Sequence, residues 1–531
     1  MIMYSHASQS HPLETVTMNN KLAFATVIVL TSLILIRKRR SSVARIPPGP
    51  RGLPVLGNVL QVPGKHTATY FRHLCEAYGG IVSLNLAGST VILLGTMDLA
   101  KKVMEKRSTR FSGRPTLPFY RYIDPDQIYW AFFSGRTQFV GRKLTGGVMA
   151  GVRAGETEAL QHFEALTTVN CILNDRGRDW FHEMDRTFAS AALTAAFGFG
   201  FPTGEEAELK QIMTSLSELV RVLNPSASII NTLPFLDFLP GPMPWRKWGA
   251  EFRRREDELY DKLGEHAIVG KAAGMNTWAA SFASADSKSG RDTRRLINVF
   301  SNAAIETTTA EMQSFVLACL LYPSWIARAQ AQIDAIVGKE RIPTFQDRAQ
   351  LPYVEAVVRE TLRWRPSVRM GIPHQSTADD IVEYKGQEYF IPKGSIVYAV
   401  SWAIEHDPNY YEDPEEFRPE RFLDDAGQKL KSGYETSAFG FGRRACPGVP
   451  FAERSMWINI AMMLWAFDIQ KSGDFCYGES DAEFKGEFTN PPLEFPAVFT
   501  PRSARREEVM RQEWADCEKD LNILLPQTRE S

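Results

Sequence analysis

The sharpest hydrophobic block in this chain comes first. Residues 22–36 are apolar except for Thr26, Thr31 and Ser32, and Arg37, Lys38, Arg39 and Arg40 follow at once. A helix of that length spans roughly 22 Å, short of a ~30 Å hydrocarbon core, but the flanking Lys21 and Arg37 can snorkel. The pattern predicts a membrane anchor over residues 22–40, preceded by a short polar segment at 1–21. A cleaved signal peptide is the rival reading. Against it, the positive cluster follows the apolar run and no small-residue cleavage site comes after it. The positive-inside rule then puts the basic flank, and everything beyond it, in the cytosol. Residues 41–54 carry Pro47, Pro48, Pro50 and Pro54 with Gly49 and Gly52, a stiff hinge that is neither helix nor central strand.

Beyond the hinge the pattern is mostly helical. A hairpin is expected from 81–86 and 91–94 around Ala87, Gly88 and Ser89. From 99 to 321 the helical period dominates, broken at Arg114-Pro115, Pro202-Thr203-Gly204, Pro240-Gly241-Pro242 and the polar run 283–291. Residues 229–230 and 233–239 are unusually apolar for a loop, which fits core packing. The stretch 381–400 turns β-rich between Lys385-Gly386 and Pro392-Lys393-Gly394, and residues 451–465 read as a buried helix. The charged tail from Arg502 reads as surface. The expected fold class is mainly α with small β-sheets; the length allows two or three domains or one large fold over 55–531.

Composition narrows the function classes. A formal net charge of −1 gives no reason to expect nucleic acid as a partner. The six cysteines are scattered with no C-x-x-C pair, which disfavours a zinc site or a disulfide framework and suits a reducing compartment.

Candidate chemistry concentrates in one loop. Phe439-Gly440-Phe441-Gly442-Arg443-Arg444-Ala445-Cys446-Pro447-Gly448 runs directly into the apolar stretch. A thiolate at a helix N-terminus meets the positive dipole end and orphan N–H donors, so its charge is stabilised. Gly442 and Gly448 let the backbone approach a flat ligand or take φ > 0. An iron held by one cysteine thiolate is an arrangement used for O–O cleavage on haem. Elsewhere, Glu306-Thr307-Thr308-Thr309 sits inside an expected helix from about 296 to 321. Those hydroxyls can bond back to i−4 carbonyls, and a carboxylate beside a hydroxyl can relay protons. Glu360-Thr361-Leu362-Arg363 places opposite charges three apart on an apolar helix, and Phe417-Arg418-Pro419-Glu420-Arg421-Phe422 offers a further cation.

The spacing Phe439-x-x-Gly442-x-Arg444-x-Cys446-x-Gly448 resembles the haem-binding loop of the cytochrome P450 family. The anchor, the hinge, the Thr-bearing helix, Glu-x-x-Arg and Phe-x-Pro-Glu-Arg-Phe follow in that family's order, in the style of its fungal secondary-metabolism branch. The resemblance implies a P450 fold with a single large haem domain behind a membrane anchor. It implies haem b with Cys446 as the iron's axial ligand, and Arg444, Arg142 and His374 toward its propionates. It implies Phe439, Gly442 and Gly448 in the cofactor loop, and Glu306 and Thr307 as the acid and alcohol of oxygen activation. Glu360, Arg363 and Arg421 would lock together as scaffold behind the haem.

Two positions depart from the family pattern: Ala304 stands for the usual glycine, and Gln138 for the tryptophan of Trp-x-x-x-Arg. The implied activity is insertion of one oxygen atom from O2 into a lipophilic, aromatic-tolerant small molecule. Electrons would come from NADPH through a flavoprotein reductase docking near Lys143 and Arg443. The implied location is the endoplasmic reticulum membrane, single-pass, with the catalytic domain in the cytosol. Residues 229–239 would then be a second membrane contact. Substrate would touch the stretches 116–131, 216–223, 299–303, 367–372 and 488–491. The rival functions are a haem-thiolate rearrangement or dehydration without external O2, and a non-catalytic haem protein.

Overall fold

The computed structural model describes residues 45–525 apart from 128, 224–227, 233, 273, 282–287, 434, 479, 481–482 and 487. The expected anchor at 22–40 and the segment 1–21 lie outside the described residues. Among those described, no helix is long and apolar enough to cross a membrane. By contacts the described residues form two units, 45–46 with 381–390, and 47–380 with 391–525.

The second unit is mainly helical. Its larger helices are α1 (Thr67–Tyr78), α2 (Arg136–Arg153), α3 (Glu158–Asp175), α4 (Trp180–Phe197), α5 (Ala207–Leu223), α6 (Pro244–Ala272), α7 (Lys288–Leu321), α8 (Pro352–Trp364), α9 (Val449–Ala466) and α10 (Ala504–Asp516). Helix α9 is apolar on all sides and begins at a proline, which is pre-set for a first helical turn. Burial on every face demands partners all round, and α3, α8 and α7 supply them.

The small sheets fall where the period changes to two. Strands β1 (Ile81–Leu86) and β2 (Ser89–Leu94) form the expected antiparallel hairpin with Ile81 opposite Leu94. Ala87 and Gly88 both hold positive φ, 48° and 96°, as a two-residue turn matched to strand twist requires. In the later β-rich stretch, β3 (His374–Gln375) pairs antiparallel with β6 (Ile396–Ala399), and β6 lies parallel to β2. Between them in sequence, β4 (Asp380–Tyr384) and β5 (Gln387–Ile391) make a separate two-stranded hairpin, most of which belongs to the first unit. Strands β7 (Phe467–Lys471) and β8 (Ala497–Pro501) close the set.

Two expectations change. The tail from Arg502 is packed rather than merely surface: α10 buries Val509 and Met510, and Arg502 and Arg506 both pair with Asp334, at 2.7 and 2.6 Å. Charged residues outnumber that narrow apolar stripe, so the pattern hides it. The apolar run near 229–239 divides: Ile230 is fully buried, whereas Phe235 and Phe238 are 62% and 90% exposed.

Candidate active site

The cysteine loop is shaped by its glycines. Gly440 and Gly442 hold positive φ, 69° and 58°. A Cβ on Gly442 would lie 2.1 Å from the Met104 carbonyl oxygen, so only glycine lets the loop seat on the turn at 101–105. Gly442 itself is packed against the Met104 backbone and does not line the cavity described below. The loop closes when Cys446 N–H donates to the Phe439 carbonyl at 2.8 Å. Gly448 N-caps α9, and a Cβ there would sit 3.6 Å from the Cys446 sulfur.

Cys446 therefore lies at a helix N-terminus, as its sequence position suggests. Burial raises its pKa, while the backbone N–H groups of Gly448 and Val449 and the charge of Arg142 oppose that rise. The residue is enclosed by protein, yet its surface is accessible because it opens on an internal cavity.

The same cavity is lined by Ala303, Ala304, Glu306 and Thr307 of α7. The Thr307 hydroxyl donates to the Ala303 carbonyl at 2.7 Å, the back-bond expected of a threonine inside a helix. Glu306 Oε1 accepts from the Thr489 hydroxyl at 2.5 Å, a partner from the late loop that sequence spacing does not reveal. Each of the five stretches expected around substrate contributes to the lining, through Tyr129, Leu219, Val299, Ile372 and Phe488 among others.

One part of the lining is strongly cationic. Arg444 donates to the carbonyls of Ser112 and Phe133, both at 2.8 Å, and its Nη1 is buried with no hydrogen-bond partner. Arg142 donates to the Ala445 carbonyl at 2.8 Å, tying α2 to the loop one residue before the cysteine. Arg114, which sequence reasoning missed, is buried among the carbonyls of Ala131, Ile372 and Pro373 and also lines the cavity. Burial first, then Arg444, pushes its pKa down to about 9. Arg444 falls to about 10 through burial and Arg142. The only sequence signal for Arg114 is that it precedes a helix-breaking proline, which many loops share.

His374 joins this group, but not as a cation. Its Nδ1–H donates to the Phe111 carbonyl at 2.6 Å. Burial, then Arg114, pushes its pKa down to about 3, so it is neutral at physiological pH. The tryptophan absent at position 138 has a counterpart from elsewhere. The Trp130 ring packs on Gly141, where any Cβ would lie 2.3 Å from the indole.

These residues fit a haem. The cysteine sulfur, N–H groups that stabilise its charge, and a glycine that leaves it room sit in one largely apolar cavity with Arg114, Arg142 and Arg444. Closely spaced buried cations, one with an unused donor, call for an anionic ligand group such as a propionate.

The expected scaffold lock is present outside the cavity. Arg363 forks onto Glu360 at 2.7 and 2.9 Å, and Arg421 reaches the same carboxylate at 3.0 Å. Arg363 also donates to the carbonyls of Glu405, Pro414 and Glu416, which pins the segment leading to the cysteine loop.

Comparison with known proteins agrees with this geometry. The cytochrome P450 family profile matches residues 47–494. Cytochrome P450 monooxygenase 58 of Postia placenta is 36% identical over 467 residues, covering 85% of this chain and 86% of that protein. Cytochrome P450 monooxygenase claR of Ampulloclitocybe clavipes is 33% identical over 509 residues, covering 92% and 91%. Cytochrome P450 monooxygenase aneD of Aspergillus aculeatus is 30% identical over 508 residues, covering 94% and 96%. The chain belongs to the cytochrome P450 family of monooxygenases, whose members hold haem through a cysteine thiolate.

Proposed function

We propose that this enzyme inserts one oxygen atom of O2 into a lipophilic small molecule, in fungal secondary-metabolite biosynthesis, with Cys446 as the axial ligand of haem b. The observation that carries this reading is the shared cavity: the Cys446 sulfur and the Glu306–Thr307 face of α7 line one apolar space. Bound haem supplies the capture and reductive cleavage of O2. The chain supplies the rest. Gly448 N–H, Val449 N–H and Arg142 hold negative charge on the Cys446 sulfur. Arg114, Arg142 and Arg444 would hold the cofactor's carboxylates, and Phe439 closes the cysteine loop by accepting from Cys446 N–H. Neutral His374 helps only after an anionic neighbour raises its basicity.

Thr307 presents a hydroxyl whose own proton is directed to Ala303, so its lone pairs are free to accept a proton from the cavity side. Glu306 is held beside it by Thr489. This acid–alcohol pair favours oxygen activation over a rearrangement that needs no O2. The apolar lining from Tyr129, Leu219, Val299, Ile372 and Phe488 excludes water and orients an apolar substrate.

Electrons would come from NADPH through a flavoprotein reductase. A second basin lies against Cys446 and Pro447, lined by Arg142, Arg153, Arg348 and Arg454, and Lys143 and Arg443 are exposed. An acidic reductase surface suits that basin. Residues 22–40 would anchor the enzyme in the endoplasmic reticulum with residues 55–531 in the cytosol, and Phe235 and Phe238 would form a second contact with lipid.

Reduced microsomes treated with carbon monoxide test the ligand. The expected result is the red-shifted thiolate Soret band, abolished by Cys446→Ala and kept by Cys319→Ala. A wild-type spectrum without that band overturns the haem-thiolate reading. Product formation that consumes no NADPH overturns the monooxygenase reading.

A further inference from the structure

Helix α7 carries a second carboxyl group at this cavity that the acid–alcohol pair does not use. Glu311 lies four residues beyond Thr307, hence on the same helix face with Cβ atoms roughly 5–6 Å apart. It is 3% exposed and lines the cavity. Its Oε1 accepts from the Ser367 backbone N–H at 2.7 Å, whereas its Oε2 is buried and has no hydrogen-bond partner among the described residues. A buried, ionised oxygen without a donor bears the full cost of lost hydration, and protonation removes most of that cost.

The polar neighbours of Glu311 oppose burial in part: the Ser367 N–H and hydroxyl both favour the carboxylate. From the 365–372 segment Arg369 faces it, and after β6 Glu405 faces it; the two act in opposite directions. Glu306 lies five residues earlier on its own helix and is engaged by Thr489. The other charged groups of the packed helices are spoken for: Glu360 binds Arg363 and Arg421, and Arg186 binds Glu164 and Glu183. Burial dominates and lifts the Glu311 carboxyl to about 8, so it keeps its proton at neutral pH.

The surroundings also couple the two acids. Thr489 donates to Glu306; the adjacent Asn490 N–H donates to the Ser367 carbonyl at 2.8 Å; Ser367 N–H donates to Glu311. The late loop thus holds Glu306 directly and reaches Glu311 only by way of the Ser367 backbone.

We propose that Glu311 is a proton-holding group that serves the cavity through Thr307, resupplying the hydroxyl after it has given up its own proton. The inference rests on the monooxygenase reading above. In the step, the Glu311 Oε2–H bond breaks and an O–H bond forms on Thr307 Oγ, directly or through one water. As Oγ accepts that proton, the hydroxyl's former proton turns from the Ala303 carbonyl to the oxygen atom that departs as water. Glu311 is left as a carboxylate facing Arg369 and regains a proton from solvent between turnovers. No electrons move in this transfer.

The first test reads protonation directly. Infrared difference spectra of the full-length holoenzyme, wild type minus Glu311→Gln, should show the carbonyl band of a protonated carboxylic acid at pH 7, titrating away near pH 8. The second test needs no substrate. With purified reductase and NADPH, the enzyme divides electrons between hydrogen peroxide, which takes two protons per O2, and water, which takes four. Because Glu311 is protonated below about pH 8, the wild-type peroxide share should be low at pH 7 and rise as pH passes 8. Glu311→Gln should have a high, pH-independent share, with water formation down about tenfold. Glu311→Asp, which retains a proton, should restore the pH dependence.

A loss that is only structural would move the amount of thiolate protein, read by the carbon monoxide spectrum, and not the pH dependence of the peroxide share. Should Glu311→Gln fail to load haem, the Glu311→Asp pH profile and the pH titration of the band in wild type minus Glu311→Asp spectra decide the matter. No band at pH 7, or a Glu311→Gln profile equal to wild type with the thiolate spectrum intact, overturns the proposal. A wild-type protein without the thiolate band overturns the underlying reading instead.

Discussion

Arg114, Arg142 and Arg444 define the cavity's chemistry at the scale of single residues. Arg444 and Arg142 lower the basicity of Arg114, Arg142 lowers that of Arg444, and among the described residues none of the three has a carboxylate as a hydrogen-bond partner. Such an arrangement is held apart by carbonyl acceptors and is completed by an anion. Hydrogen bonds to charged groups contribute about 1.5–3 kcal/mol, so losing one arginine should speed haem loss by roughly tenfold or more. Arg114→Leu and Arg444→Leu should show this in haem transfer to apomyoglobin, whereas Arg443→Leu, exposed on the same loop, should transfer at the wild-type rate. Equal rates in all three would deny the cationic group its cofactor role. The sequence displays Arg444 through its fixed distance from Cys446. It is silent on Arg114, because that residue reaches the cavity by way of carbonyls at Ala131, Ile372 and Pro373 that only the fold assembles.

Among elements, what the chain pattern reveals depends on whether a single segment contains its own reason. The β1–β2 hairpin does: alternating residues and a two-residue turn are local. Helix α9 does, because a run apolar on all faces must be buried. The α10 packing and the seating of Trp130 on Gly141 do not, since each depends on a distant partner. The Glu360 lock stands between: its i and i+3 charges are visible, while its burial is settled by α8 lying against the segment 412–421. Removing one member of a buried charge group leaves the others uncompensated and costs about 3–5 kcal/mol. Glu360→Ala should therefore strongly lower the urea concentration at which the thiolate spectrum is lost. Glu251→Ala, whose exposed carboxylate pairs with Arg254 and more distantly with Arg255 at the surface, should not shift it. Similar midpoints for the two variants would mean that the lock adds nothing to the fold.

At the scale of the whole molecule, the proposed attachment to lipid would be divided between a segment defined by sequence alone and one defined by structure. The anchor reading rests on residues 22–40. The second contact rests on Phe235 and Phe238, two aromatic rings that the fold leaves in water although many other phenylalanines are buried. Inserting one such ring into an apolar phase is worth about 1.5–3 kcal/mol, or roughly tenfold or more in partitioning. The contributions are separable by deletion. The full chain should resist alkaline carbonate extraction from membranes. A chain lacking residues 1–40 should be extracted, yet still co-sediment with neutral phosphatidylcholine vesicles at high salt, where electrostatic attraction is screened. Adding Phe235→Ser and Phe238→Ser to that shortened chain should cut co-sedimentation by at least about tenfold, with the carbon monoxide spectrum unchanged. Full-length protein released by carbonate would remove the anchor. A shortened chain that ignores vesicles would remove the second contact, leaving Phe235 and Phe238 as exposed aromatics without a lipid partner.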